Sequence, residues 1–196
     1  MSSMKRSIAL VGLLAGLGAG PASAHMTPPV VLHSEKEVVA AATRGAAKIS
    51  VREVRLTDAE REEVARRSGW RPPAGMQRFY VGRDGSGKLL SAVTFLSEFT
   101  IHGPVRVGVA IGPDGKVLDV QVVELTEETH AAFKPLLDRG FAKELVGATA
   151  RPALPASAAN LEPQSISRFY AQIVTDMVGR AVVLYDVAFA GPAEKK

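Results

Sequence analysis

The stretch VRVGVAIGPDGKVLDVQVVE, residues 105–124, decides the fold. Val105, Val107, Val109 and Ile111 alternate with Arg106, Gly108 and Ala110. After the tight turn GPDG the alternation resumes, with Leu118, Val120 and Val122 on one face and Asp119 and Gln121 on the other. A period of two marks a half-buried strand, and two such runs joined by a short turn form an antiparallel hairpin. Gly108, opposite the valines, leaves room for something to approach closely.

Upstream, MQRFYVG (76–82) leads through RDGSGK into LLSAVTF (89–95), a second hairpin signal. The result is an antiparallel meander with one packed face and one wetter face. Helices flank it. In LTDAEREEVARRSGW (56–70), Thr57 and Glu60 have capping-box spacing, acidic residues open the helix, Arg66 and Arg67 close it, and Gly69 stops it. Trp70 then packs back onto the core. Glu35 to Ala47 predict a short helix, followed by a short strand around Ile49, Val51 and Val54. Glu127 to Val146 are helical but broken near Gly140. A Pro- and Ala-rich connector, ARPALPASAANLEP, precedes a long last helix whose apolar residues Ile166, Phe169, Ile173, Met177, Ala181 and Tyr185 recur at helical spacing. Strands followed by helices predict an α+β domain: an antiparallel sheet of four to six strands covered by helices, with a long C-terminal helix.

The ends of the sequence carry different information. Lys5 and Arg6, the apolar run Ile8 to Leu17 and Ala22-Ser23-Ala24 form a secretory signal pattern over residues 1–24, which predicts export to the periplasm, with an uncleaved anchor as the alternative. Residues 25–55 read as an N-terminal extension, 56–190 as the domain and 191–196 as a tail. The net charge of +4 counts Lys5 and Arg6, and no basic stripe interleaved with aromatics occurs, which argues against nucleic acid. With no cysteine, disulfides, c-type haem attachment and thiolate metal clusters are excluded. G-x-S-x-G, H-E-x-x-H and P-loop motifs are absent, so the chain reads as a carrier or binding protein rather than an autonomous enzyme.

The order of these pieces resembles the periplasmic FMN-binding domain family, related to the flavin-carrying subunits of ion-pumping respiratory complexes. The likeness runs from about Leu56 to Phe189. It rests on the LTDAEREEVARRSGW helix, the two hairpins, FAKELVG and IVTDMVGRAVVLYD. The resemblance implies an FMN carrier that transfers electrons in or beside a membrane redox chain, with a redox protein as partner. In the family a Ser-Gly-Ala-Thr motif opens the last helix, and in many members its threonine is esterified to the flavin phosphate. Counting back from Val174-Thr175-Asp176 places that motif on Ser165-Ile166-Ser167-Arg168, so the glycine and the acceptor threonine are missing. A helix start with two hydroxyls and a guanidinium still suits a phosphate, which makes Ser165, Ser167 and Arg168 the candidates for non-covalent FMN. His102, in IHGP, matches a loop histidine of the family and joins them, as does Thr175. Gly147-Ala148-Thr149 spells three letters of the motif at the wrong place, ahead of the connector. The alternative is a flavin-free member of the fold that acts as an interaction or assembly partner. A further alternative is copper held by His25 at the mature N-terminus with His33 or His102.

Overall fold

In the computed structural model residues 28–189 are described. The predicted signal segment, His25 and the tail 191–196 lie outside them. β5 (Gly103–Ile111) and β6 (Val117–Thr126) form the hairpin expected from the alternation. Its turn closes with Gly112 N donating to Lys116 O at 2.8 Å. β3 (Met76–Arg83) and β4 (Leu89–Thr100) form the second hairpin. β1 (Pro29–Val31) and β2 (Lys48–Arg55) occupy the two edges, giving a six-stranded antiparallel sheet in the order β1-β6-β5-β4-β3-β2. Residues 29–55, read from sequence as an extension, are thus built into the sheet at both of its sides.

The inner face carries Phe79, Val81, Val105, Val107, Val109, Ile111, Val120 and Val122, all buried. α5 (Ile166–Phe189), 24 residues long, lies across that face. It is flanked by α2 (Asp58–Ser68), which has the expected capping box at Thr57 and a left-handed Gly69 at its end, and by α3 (Glu127–Asp138). Gly140, also left-handed at φ 84°, breaks α3 from a 3-10 turn over Phe141–Leu145. Trp70 packs against this core as expected. A short α4 (Ala156–Ala159) sits in the connector. Among the described residues, no helix is long and apolar enough to cross a membrane.

Three details differ from the sequence reading. Leu118 is exposed rather than inward, because the β5–β6 register shifts between Ala110 and Ile111, so that Val117 takes the core place. One extra residue reverses which side chains point inward. The start of α5 is also turned outward: Ile166 and Phe169 are 43% and 47% exposed, while Tyr170, Val174 and Val178 face the core. Finally, helices cover both faces of the sheet. α1 (Glu35–Ala42), capped by a reciprocal Ser34–Glu37 box, sets Val38 and Val39 against Val93, Ala110 and Val123 on the outer face. Gly108 makes this seat possible, since a Cβ there would stand 2.8 Å from the Phe95 ring and 2.9 Å from Val38 Cγ1.

Candidate functional site

The start of α5 was the predicted phosphate site, and each of its three polar side chains makes a hydrogen bond within the chain. Ser165 caps the helix: its Oγ accepts the Arg168 N–H at 3.3 Å and donates to Glu162 O at 2.8 Å. Ser167 Oγ donates to Ala132 O of α3 at 2.6 Å. Arg168 Nη1 donates to Ala159 O at 2.7 Å and Leu161 O at 2.8 Å, which fastens the end of α4 to α5. These contacts explain why hydroxyls and a cation open a largely buried helix. They cap it and tie two neighbouring segments to it.

Thr175 is fully buried and its hydroxyl donates back to Ala171 O at 2.7 Å, so it faces the core. His102 stands at the tip of the β4–β5 hairpin, with Nδ1 3.3 Å from Glu128 Oε1. Its backbone N–H donates to Thr100 Oγ1, which is 3.0 Å from the Tyr170 hydroxyl. The His102 and Tyr170 rings are 6.2 Å apart. The structure therefore brings His102 beside Tyr170 in the first turns of α5, while Thr175 lies further along the helix, facing the core. Thr149 is exposed beside the opposite end of β6, where Gly147 N donates to Val117 O at 2.8 Å.

Ile166 stands where the resemblance expects a glycine, and Ser165 and Ser167, with Nη1 of Arg168, would have to give up internal acceptors to donate to a phosphate. No group of three or more metal-ligating side chains occurs among the described residues. His33 lines a cleft of about 450 Å³ between β6 and α3 together with His130, Asp119 and Lys134, and His102 is not part of it.

Two features escaped the sequence reading. The hairpin tip presents Phe99 and Ile101, 81% and 89% exposed, at the end of the molecule that carries Tyr170 and Phe169. The strand signal was read only to residue 95, and β4 runs on to Thr100. The second feature is a cleft of about 400 Å³ where Arg66 and Arg67 of α2, Arg151 of the connector, and Asp176 and Arg180 of α5 converge. Those residues are far apart in sequence and form no motif.

No protein-family model matches the chain, and comparison with curated proteins finds no match.

Proposed function

We propose that this is an exported, flavin-free protein of the FMN-binding type that serves as an interaction partner in or beside a membrane redox chain. The observation that carries the flavin-free reading is the engagement of Ser165, Ser167 and Arg168 by internal acceptors. Occupying that site with a phosphate would leave the Ala159 and Leu161 carbonyls without their donor. The Ala159 bond is exposed and the Leu161 bond only partly buried, so water recovers part of this loss, and the remainder offsets part of what the phosphate would gain. The partner reading is supported by the apolar end formed by Phe99, Ile101 and Phe169, because apolar residues gathered on an exposed surface favour protein contact.

The test begins with the visible spectrum of the protein purified from its exporting host, followed by titration with FMN. The expected protein is colourless and takes up no flavin. A yellow protein, or saturable FMN uptake at micromolar concentration, overturns the flavin-free reading. For the partner role, a double variant Phe99→Ser, Ile101→Ser is expected to fold normally and to lose association with membrane redox proteins that the parent retains. Equal association of the two removes this surface from the proposal.

A further inference from the structure

We propose that the cleft between α2, the connector and α5 binds a tetrahedral phosphate group, either free phosphate or a small phosphate monoester. Four guanidinium groups line it, and they differ in how far their charge is already used. Arg66 pairs with Glu63, Arg67 with Asp186 at 2.6 Å, and Arg180 with Glu98. Arg151 has no carboxylate partner among the described residues, and its one hydrogen bond is a long 3.4 Å contact to Arg67 O. Arg180 is the deepest of the four, with its side chain 22% exposed and paired with Glu98; its Nε has no hydrogen-bond partner but is enclosed by protein atoms, out of reach of a ligand in the cleft. The charge left for an anion is therefore chiefly that of Arg151. Guanidinium groups suit that anion, because their forked planar donors match phosphate oxygens.

The wall of the cleft is held in place by close packing. Gly179 lets the connector lie directly on α5: a Cβ there would stand 2.9 Å from Ala150 O and 2.9 Å from Pro152 Cδ. This contact fixes Arg151 relative to Arg180. A glycine in a helix interior costs about 1 kcal/mol relative to alanine, and here the contact accounts for its presence. Two features oppose an anion. The C-terminal end of α2 points carbonyls towards the cleft, an effect that Arg66 and Arg67 in its last turn offset. Asp176 also lines the cleft, with its carboxylate held by the Gln172 amide at 2.9 Å and by no cation among the described residues. The proposal therefore makes two opposite predictions for two exposed residues that contribute little to folding.

The chain's only tryptophan, Trp70, reports on the site, since the Arg180 guanidinium carbon lies 5.9 Å from its ring centre. Inorganic phosphate and, separately, glycerol 3-phosphate are titrated into the protein at low ionic strength, with chloride as the ionic-strength control. Saturable change in Trp70 fluorescence is expected with phosphate and not with chloride. Arg151→Gln is expected to weaken binding about tenfold, the worth of one charge-assisted hydrogen bond. Asp176→Asn is expected to tighten it severalfold by removing a like charge. Thermal melting of both variants checks that they fold. Stronger binding of glycerol 3-phosphate identifies a monoester, and equal or weaker binding identifies free phosphate. No saturation at millimolar phosphate, or binding that both substitutions leave unchanged, overturns the proposal.

Discussion

Replacing Arg168 with methionine separates a structural clamp from a cofactor anchor. Methionine keeps most of the apolar stem and deletes the guanidinium. What is lost is the pair of hydrogen bonds from Nη1 to Ala159 O at 2.7 Å and Leu161 O at 2.8 Å. A hydrogen bond from a charged donor contributes about 1.5–3 kcal/mol when well shielded from water. The Ala159 bond is exposed and the Leu161 bond only partly buried, so water replaces much of both. The expected destabilisation is therefore about 1–2 kcal/mol in total. At roughly 2–4 °C per kcal/mol for a domain of this size, the melting temperature falls by about 2–8 °C. The segment from Pro155 to Ser165 loses its tie to α5 and is expected to be cut faster by protease under native conditions. Thermal melting by circular dichroism, limited proteolysis and FMN titration of parent and variant together read the outcome. A variant with the parent's melting temperature and protease resistance, set against a parent that binds FMN and a variant that does not, would refute the clamp and restore the phosphate anchor.

Three further substitutions test the packing. Gly108→Leu is expected to destabilise by about 2–3 kcal/mol by overpacking and to displace α1, because the added side chain enters space held by Phe95 and Val38; hydrogen exchange in residues 35–42 reads it, and unchanged protection there would contradict the seat described for α1. Thr175→Val is expected to be nearly neutral, within about 1 kcal/mol, because the Ala171 carbonyl keeps its helical N–H partner; a large loss of stability, or of any bound flavin, would show that the hydroxyl does more than bond back to its own helix. Tyr185 has its pKa raised, chiefly by burial and next by Asp186, so the native state holds the phenolic proton more tightly than the unfolded chain does. Its contribution is complete below the unfolded value of about 10 and is lost as pH rises above it, so Tyr185→Phe is expected to flatten the alkaline decline in stability; an unchanged decline in urea melts between about pH 9 and 11 would place its cause elsewhere.

The central hairpin and α2 were legible because their signals are local. The period-two run at Val105 to Ile111 and the Thr57–Glu60 box each specify their element within a few residues. α1 was foreseen as a helix but its place was not. The outer face of β5 and β6 reads Arg106, Gly108, Ala110, Asp119 and Gln121, which looks wet. Only in the folded sheet do Gly108 and Ala110 join Val93 and Val123 as a seat for Val38 and Val39. β1 is a three-residue edge strand beginning at Pro29, too short and too proline-rich to announce itself. The bulge at Leu118 is invisible in sequence because an alternating run does not reveal where its register slips.

The start of α5 was harder for a different reason. Serine caps and serine phosphate ligands have the same composition, and an arginine that grips carbonyls looks like one that grips an anion. What distinguishes them is the position of Ala132, Ala159 and Leu161, whose backbone oxygens carry no sequence signature. The same comparison orders the two basic sites energetically. For Arg168 to bind phosphate through Nη1, two short hydrogen bonds must break and their carbonyls must find water. Arg151 need give up only one contact at 3.4 Å and has no carboxylate partner among the described residues. Phosphate gains similar charge-assisted bonds at either place, so the smaller internal loss favours the cleft. The chain would then hold its anion not at the start of α5 but about three turns further along the same helix, where Arg151 of the connector meets Arg180.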